Sequence, residues 1–186
     1  PTHTQTQNNP TNTRGVKTGL SEFKPVRGMR DFLEKDAQKM RYVEQKAREL
    51  AKLYGYEEVI TPIVESYELV AAKAGEEMRL RMYTFNDMAG RKVALIGVFT
   101  PSMARLAATK LRTTPKPIKL FCIGSVYRYD EPQFGRFREI FQANYELFGP
   151  IQPEADAEII TINSQLLHAV GLRDHTIKIG HMGILR

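Results

Sequence analysis

Arginines are the first residues of this chain whose placement suggests chemistry. Arg128, Arg136 and Arg138 fall within "RYDEPQFGRFREIFQ", residues 128–142, alongside Asp130, Glu131 and Glu139. A planar guanidinium can grip two phosphate oxygens at once and can neutralise charge developing at phosphorus. Charged loops are more often plain solvated turns, so the flanks decide the matter. Upstream, "IKLFCIGSVYRY" reads as a strand, and downstream "REIFQANYELFG" reads as another. In the second, Phe141, Ala143, Tyr145 and Leu147 share one face, and Gln142, Asn144 and Glu146 share the other. Arg128 falls on the same face of the first strand as Cys122, Gly124 and Val126, and Gly124 there permits close approach of a ligand or backbone. The spacing predicts two antiparallel strands with a polar strip that leads to a loop bearing Arg136 and Arg138. That is a plausible nucleotide grip. The chain has no glycine-rich phosphate loop of the P-loop or dinucleotide kind, so these arginines would carry any phosphate binding.

Charge distribution agrees without deciding the question. The net charge is +6 over 186 residues. Residues 101–140 carry eight Lys/Arg against three Asp/Glu, whereas 141–165 carry acids and no Lys/Arg. Such a patch suits a phosphate-bearing partner, a nucleotide or an RNA, although basic surface alone serves solubility equally well. The single cysteine, Cys122, excludes an internal disulfide and sits in an apolar stretch, where a packing role is expected. His168, His175 and His181 with Cys122 lack zinc-ligand spacing, so no metal site is expected. No apolar run approaches membrane-spanning length.

The positioning elements can be read from periodicity. Residues 1–23, rich in Thr, Asn and Gln, read as a disordered polar tail with neither a secretory nor a transit signal. From Glu34 to Tyr54, Met40, Val43, Ala47, Leu50, Ala51 and Tyr54 recur at helical spacing, and Gly55 is placed to end that helix. "YEEVIT", residues 56–61, predicts a strand stopped by Pro62. "MYTF" and "KVALIGVF" around "NDMAGR" predict a hairpin. Thr100 reads as a helix N-cap with Pro101 first inside the helix, which runs through Met103, Leu106, Ala107 and Leu111. Ala155, Ile159, Ile162, Leu166 and Val170 predict a last helix ending at Gly171, with a strand in "TIKIGH" after it. The order is α+β, an antiparallel sheet flanked by helices.

The same stretches carry a resemblance. "VYRYDEPQFGRFREIFQ" resembles motif 2 of the class II aminoacyl-tRNA synthetases in its histidyl form. "KPVRGMRDF", "LYGYEEVITPIVES" and "MYTFNDMAGRKVAL" resemble the opening, motif 1 and adjoining hairpin of histidyl-tRNA synthetases. "FTPSMARLAATKLR" and "PKPIKLFCIGSVYRYDEPQFGRFREI" bring the likeness closest to archaeal-type enzymes. It runs in one order over roughly residues 24–186, which the resemblance makes a partial class II catalytic domain. It implies that Arg128 holds the α-phosphate of ATP and the adenylate, that Glu131 reads the adenine amino group, and that Arg136 lines the nucleotide and histidine pocket. Gln142 and Glu146 would contact the adenylate and the substrate histidine, and Thr100 the histidine α-amino group. The implied activity is histidine–tRNA ligation in the cytoplasm, with ATP, its magnesium, histidine and tRNA as substrates. A homodimer through Glu34–Tyr54 and Tyr56–Pro62 is implied too.

Departures from the family pattern accompany it. Ile96-Gly97-Val98 stands where the family has Arg-Pro-Glu, whose glutamate pairs with the histidine ammonium. Losing that charge-assisted bond costs on the order of 1.5–3 kcal/mol. Asn144-Tyr145 is bulkier than the family's small pair and is expected to narrow the histidine pocket. Motif 3 and the anticodon-binding domain fall beyond Arg186 in the family, so the resemblance implies a truncated or diverged form. The alternative is a non-catalytic synthetase-like paralogue that serves as a regulatory subunit in histidine biosynthesis.

Overall fold

A computed structural model describes residues 23–133 and 135–180. The expected polar tail therefore lies outside the described residues, apart from Phe23. In chain order the elements are α1 (Glu34–Leu53), β1 (Glu57–Glu58), β2 (Val64–Ser66), α2 (Tyr67–Ala71), α3 (Glu76–Leu80), β3 (Thr84–Asn86), β4 (Lys92–Leu95), α4 (Thr100–Thr109), β5 (Ile118–Tyr127), β6 (Glu139–Phe148) and α5 (Pro153–Ala169). They form two three-stranded sheets, β1-β5-β6 and β2-β4-β3.

The β5–β6 ribbon is the centre of the molecule. Its ten antiparallel pairs run from Ile118↔Phe148 to Tyr127↔Glu139. Facing pairs in such a ladder share a side, so Cys122↔Asn144 and Gly124↔Gln142 put the polar strip beside Gly124, as the alternation predicts. The opposite side carries Phe121 and Tyr145, whose rings lie 5.0 Å apart. These two pack with Ala47 and Ala51 of α1, Ile162 of α5 and Tyr56. On the first side Leu120, Cys122 and Val126 meet Ile96, Phe99 and Met103. Each side of the ribbon thus has its own core.

Helix α1 matches the sequence pattern closely. Ala47 and Ala51 are fully or almost fully buried, and small side chains there let the helix approach the ribbon. Gly55, at φ +76°, comes after its end in the left-handed conformation that glycine adopts without penalty. Tyr56 then anchors the turn into β1. Its hydroxyl donates to Glu158 at 2.9 Å, and Lys119 Nζ donates to the other carboxylate oxygen at 2.7 Å. Burial disfavours the Glu158 charge, yet the hydrogen bonds from Lys119 and Tyr56 outweigh it and hold this carboxyl below its ordinary range.

Three elements differ from expectation. The strand predicted over 56–61 is only Glu57–Glu58, which pairs parallel with Leu120 and Phe121. One more bond, Val59 N to Phe121 O at 2.8 Å, extends it before the chain leaves for Pro62. Thr100 is not the N-cap. Phe99 occupies that position, because the Thr100 hydroxyl is drawn across to Glu146. Residues 176–180 of the expected last strand are not a strand: no described strand pairs with them, and Ile179 is exposed. An apolar alternation becomes a strand only where a ladder receives it. His181 lies outside the described residues.

Candidate functional site

Arg128 emerges where β5 ends. Its backbone N–H donates to Arg138 O at 2.9 Å, which closes the base of the loop, and its Nε donates to Gly97 O at 2.9 Å. The carbonyl thus fixes the direction of the guanidinium. Among the described residues its terminal nitrogens have no protein partner and remain available to an anion. Arg128 and Arg136 line a cavity of about 550 Å³ together with Arg30, Arg81, Asp130, Phe137 and Glu139. Asp130 Oδ1 lies 3.1 Å from Arg81 as an ion pair but accepts no hydrogen bond from a described residue, and Arg81 also pairs with Glu77. Tyr127 donates to Glu139 at 3.2 Å. Burial, and after it the nearby Glu139 charge, holds the Tyr127 phenol above its ordinary value, so it stays a neutral donor.

The polar strip lies on the other face of β6 from Glu139 and Phe141, which line this cavity with Phe32 and Met40. Glu146 Oε1 accepts from Thr100 Oγ1 at 2.5 Å and from Asn144 Nδ2 at 2.8 Å. A carboxylate held by two donors keeps its direction. Gln142 Oε1 is buried without a hydrogen-bond partner, a state that costs free energy unless a ligand donor completes it. Thr100, Gly97, Val98 and Tyr127 also border a second, largely apolar cavity of about 570 Å³ between α2, α3 and α4.

The structure therefore brings Arg128 and Arg136 together at one cavity, and Thr100 to Glu146 on the strip that also carries Gln142. It does not bring Glu131 to either cavity. That side chain is 78% exposed and pairs with Arg27 at 3.1 Å. Arg138, offered by spacing as part of the grip, is also excluded. It is buried, donates from Nε to Asp130 O at 2.9 Å, and lies 3.8 Å over the Tyr129 ring. Its role is to hold the loop. The room expected beside Gly124 is taken by Phe99, whose ring would lie 3.5 Å from a Cβ there. Tyr145 does not narrow the site, since it points to the opposite core and donates to Ala47 O at 3.1 Å. Asn144 alone of that pair faces the strip.

Sequence reasoning missed Arg30, Arg81 and Phe137. Arg30 stood in view within "RGMRDF" and Arg81 within "RLRMYTF". No local periodicity says that segments about 100 and 50 residues upstream will meet the loop. Metal ligands are a separate matter: no group of three or more His, Cys, Asp or Glu among the described residues could hold an ion. His168 and His175 do meet, edge to face at 4.9 Å, but His175 is engaged by Ser164 and Leu172 O.

Known proteins resemble this chain over most of its described length. A family model described as "Histidyl-tRNA synthetase" matches residues 28–186. The chain belongs to the histidyl-tRNA synthetase family. The histidine–tRNA ligase of Saccharolobus solfataricus is 48% identical over 168 residues, which are 90% of this chain and 39% of that protein. The chain thus spans about two-fifths of the length of the curated relatives it matches. Among solved structures, S. aureus histidyl-tRNA synthetase superposes with a TM-score of 0.69 at 33% identity, covering 81% of this chain and 35% of its own. A Bacillus halodurans protein titled ATP phosphoribosyltransferase regulatory subunit/histidyl-tRNA synthetase gives 0.73 at 27%, with 81% and 38% covered. The fold is that of the class II synthetase core, in part.

Proposed function

We propose that this chain forms the motif 1 and motif 2 part of a histidine–tRNA ligase, in which it binds ATP and orients it for attack by the histidine carboxylate. The observation that carries the reading is the placement of Arg128 at the end of the ribbon, held at Nε by Gly97 O and lining an arginine-rich cavity, while the strip of Gln142, Asn144 and Glu146 runs along one face of the neighbouring strand. Arg128, held at Nε by Gly97 O, presents its outer nitrogens to the α-phosphate. There it would stabilise charge as phosphorus passes through five-coordination. Arg136 adds charge on the far wall. Gln142 offers an acceptor lacking a partner, and Glu146, fixed by Thr100 and Asn144, offers a carboxylate to the substrate histidine. The work of these groups is orientation and electrostatics, with no covalent step on the protein.

Magnesium would arrive with ATP on its phosphates. Transfer of histidine to tRNA, a cytoplasmic setting and a homodimer complete the proposal. Support for a dimer comes from Tyr42, Leu53, Ile60 and Ile63, which are apolar and exposed along α1 and the segment after it. No described helix is long and apolar enough to cross a membrane.

One observation favours a second reading, a binding subunit without catalysis. Val98 gives the site no carboxylate for the histidine ammonium, and Phe99 fills the space beside Gly124. Calorimetric titration with ATP separates nucleotide binding from its absence. Arg128→Ala is expected to remove most of the affinity, and equal affinity in both chains would refute the nucleotide role.

A further inference from the structure

Residues 27–32 cross the arginine loop as a strap. Arg27 pairs with Glu131, Gly28 O accepts from Arg138 N at 2.8 Å, and the Phe32 ring meets Phe141 edge-on at 5.6 Å. Between these fastenings, the Arg30 guanidinium lies 3.3 Å over the Phe137 ring and 4.9 Å from that of Phe32. We propose that Arg30 holds the outer phosphates of a nucleoside triphosphate, with Phe137 as its platform. The proposal rests on the nucleotide reading above.

Three observations carry it. First, Arg30 has no hydrogen bond or ion pair with a described residue, although its side chain is held against two rings. A guanidinium that spends its faces on aromatic rings keeps its N–H edge for an anion, and it loses little freedom on binding because stacking has already ordered it. Second, its donors face phosphate chemistry only. Five N–H groups and no acceptor suit phosphate oxygens better than a base edge. Third, the cavity charge is unbalanced. Four arginines, Arg30, Arg81, Arg128 and Arg136, stand against Asp130 and Glu139. Arg81 is paired with both Asp130 and Glu77, and with Glu139 counted as well, an excess of one positive charge remains. Arg128 is tied at the end of β5, so Arg30, from another segment, is a separate contact for the polyphosphate.

Titration of the 186-residue chain with ATP and, separately, AMP tests this, both with magnesium. In Arg30→Ala the affinity for ATP is expected to fall about tenfold, the scale of one charge-assisted hydrogen bond, while that for AMP stays unchanged. Arg30→Lys keeps the charge without the planar stack and is expected to fall between. Phe137→Leu removes the platform and leaves the charge, and it too should weaken ATP selectively. Equal weakening of both nucleotides in Arg30→Ala, or no change in either, would show that Arg30 only fastens the strap, and would overturn the proposal. Arg128→Ala, run alongside, keeps the two ideas apart. If it leaves ATP and AMP binding intact, the nucleotide reading itself fails, and this proposal with it.

Discussion

Replacing Gly28 with alanine tests how tightly the strap is fitted. Gly28 sits at φ +84°, a conformation that costs an alanine about 1–2 kcal/mol. A Cβ there would also lie 2.7 Å from Cγ of Arg138 and 3.0 Å from its Cβ and Cδ. Those atoms cannot swing aside cheaply. The head of the side chain is fixed by Asp130 O and by the Tyr129 ring, and the whole residue is buried. Adding about 1–3 kcal/mol of overpacking, the strap is destabilised by roughly 2–5 kcal/mol, more than one bond from Arg138 N to Gly28 O can offset. The strap should therefore lift while both cores stay folded. Amide hydrogen exchange reads this directly: protection of the Arg138 N–H is expected to fall at least about 30-fold in Gly28→Ala, the equivalent of 2 kcal/mol. Amides in the middle of β5 should not change. Undiminished protection at Arg138 would refute the close fit, and an equal fall at Phe121 would refute a strap that moves independently.

The same geometry fixes other outcomes. Glu158 has a depressed carboxyl, so it stabilises the fold above its ordinary value of 4.5 and loses that contribution as pH falls below it. Glu158→Gln is expected to cost about 1 kcal/mol at pH 7 in urea unfolding, with the gap from wild type closing towards pH 3; a pH-independent gap would contradict the pairing with Lys119. Sedimentation at micromolar concentration should show a dimer, weakened by Leu53→Glu, whereas a strictly monomeric folded chain would rule out the α1 interface. Histidine-dependent ATP–pyrophosphate exchange by these 186 residues is expected to be negligible, and Val98→Glu alone should not restore it. Robust exchange would show that Val98 and the limited span of the family fold do not matter.

Alternation and helical spacing made the scaffold legible. The two faces of β6, the stripe of α1 and the glycine after it stand in the structure as the sequence implies, because each is settled by neighbours within a few residues. Thr100 shows where such reasoning stops. Its propensity as a cap is real, but a carboxylate 46 positions away competes for the same hydroxyl and prevails. Gly124 shows another limit: lack of a side chain announces a close approach without saying whether ligand or protein makes it, and here Phe99 does. Arg136 and Arg138, two residues apart in one loop, have opposite fates, one exposed at a cavity and one buried beneath it. Local pattern cannot separate them, since burial of Arg138 depends on Gly28 and Tyr129. The resemblance supplied roles for Thr100, Glu131 and Gln142 that spacing alone does not.

The ribbon with a core on each side also constrains the order in which the molecule can assemble. Its strands are joined by a short excursion, so their ladder closes at small entropic expense, whereas α1 and α5 meet only after more than a hundred residues have been gathered in. Neither helix has its partner surface until Phe121 and Tyr145 are side by side. The folding nucleus is therefore expected to centre on the ribbon, with Val126 packed early and Ala47 late. Rate measurements on Val126→Ala and Ala47→Gly should accordingly divide, the first slowing folding and the second chiefly hastening unfolding. The wall that presents Arg128 to its cavity would then be the first part of the protein to exist.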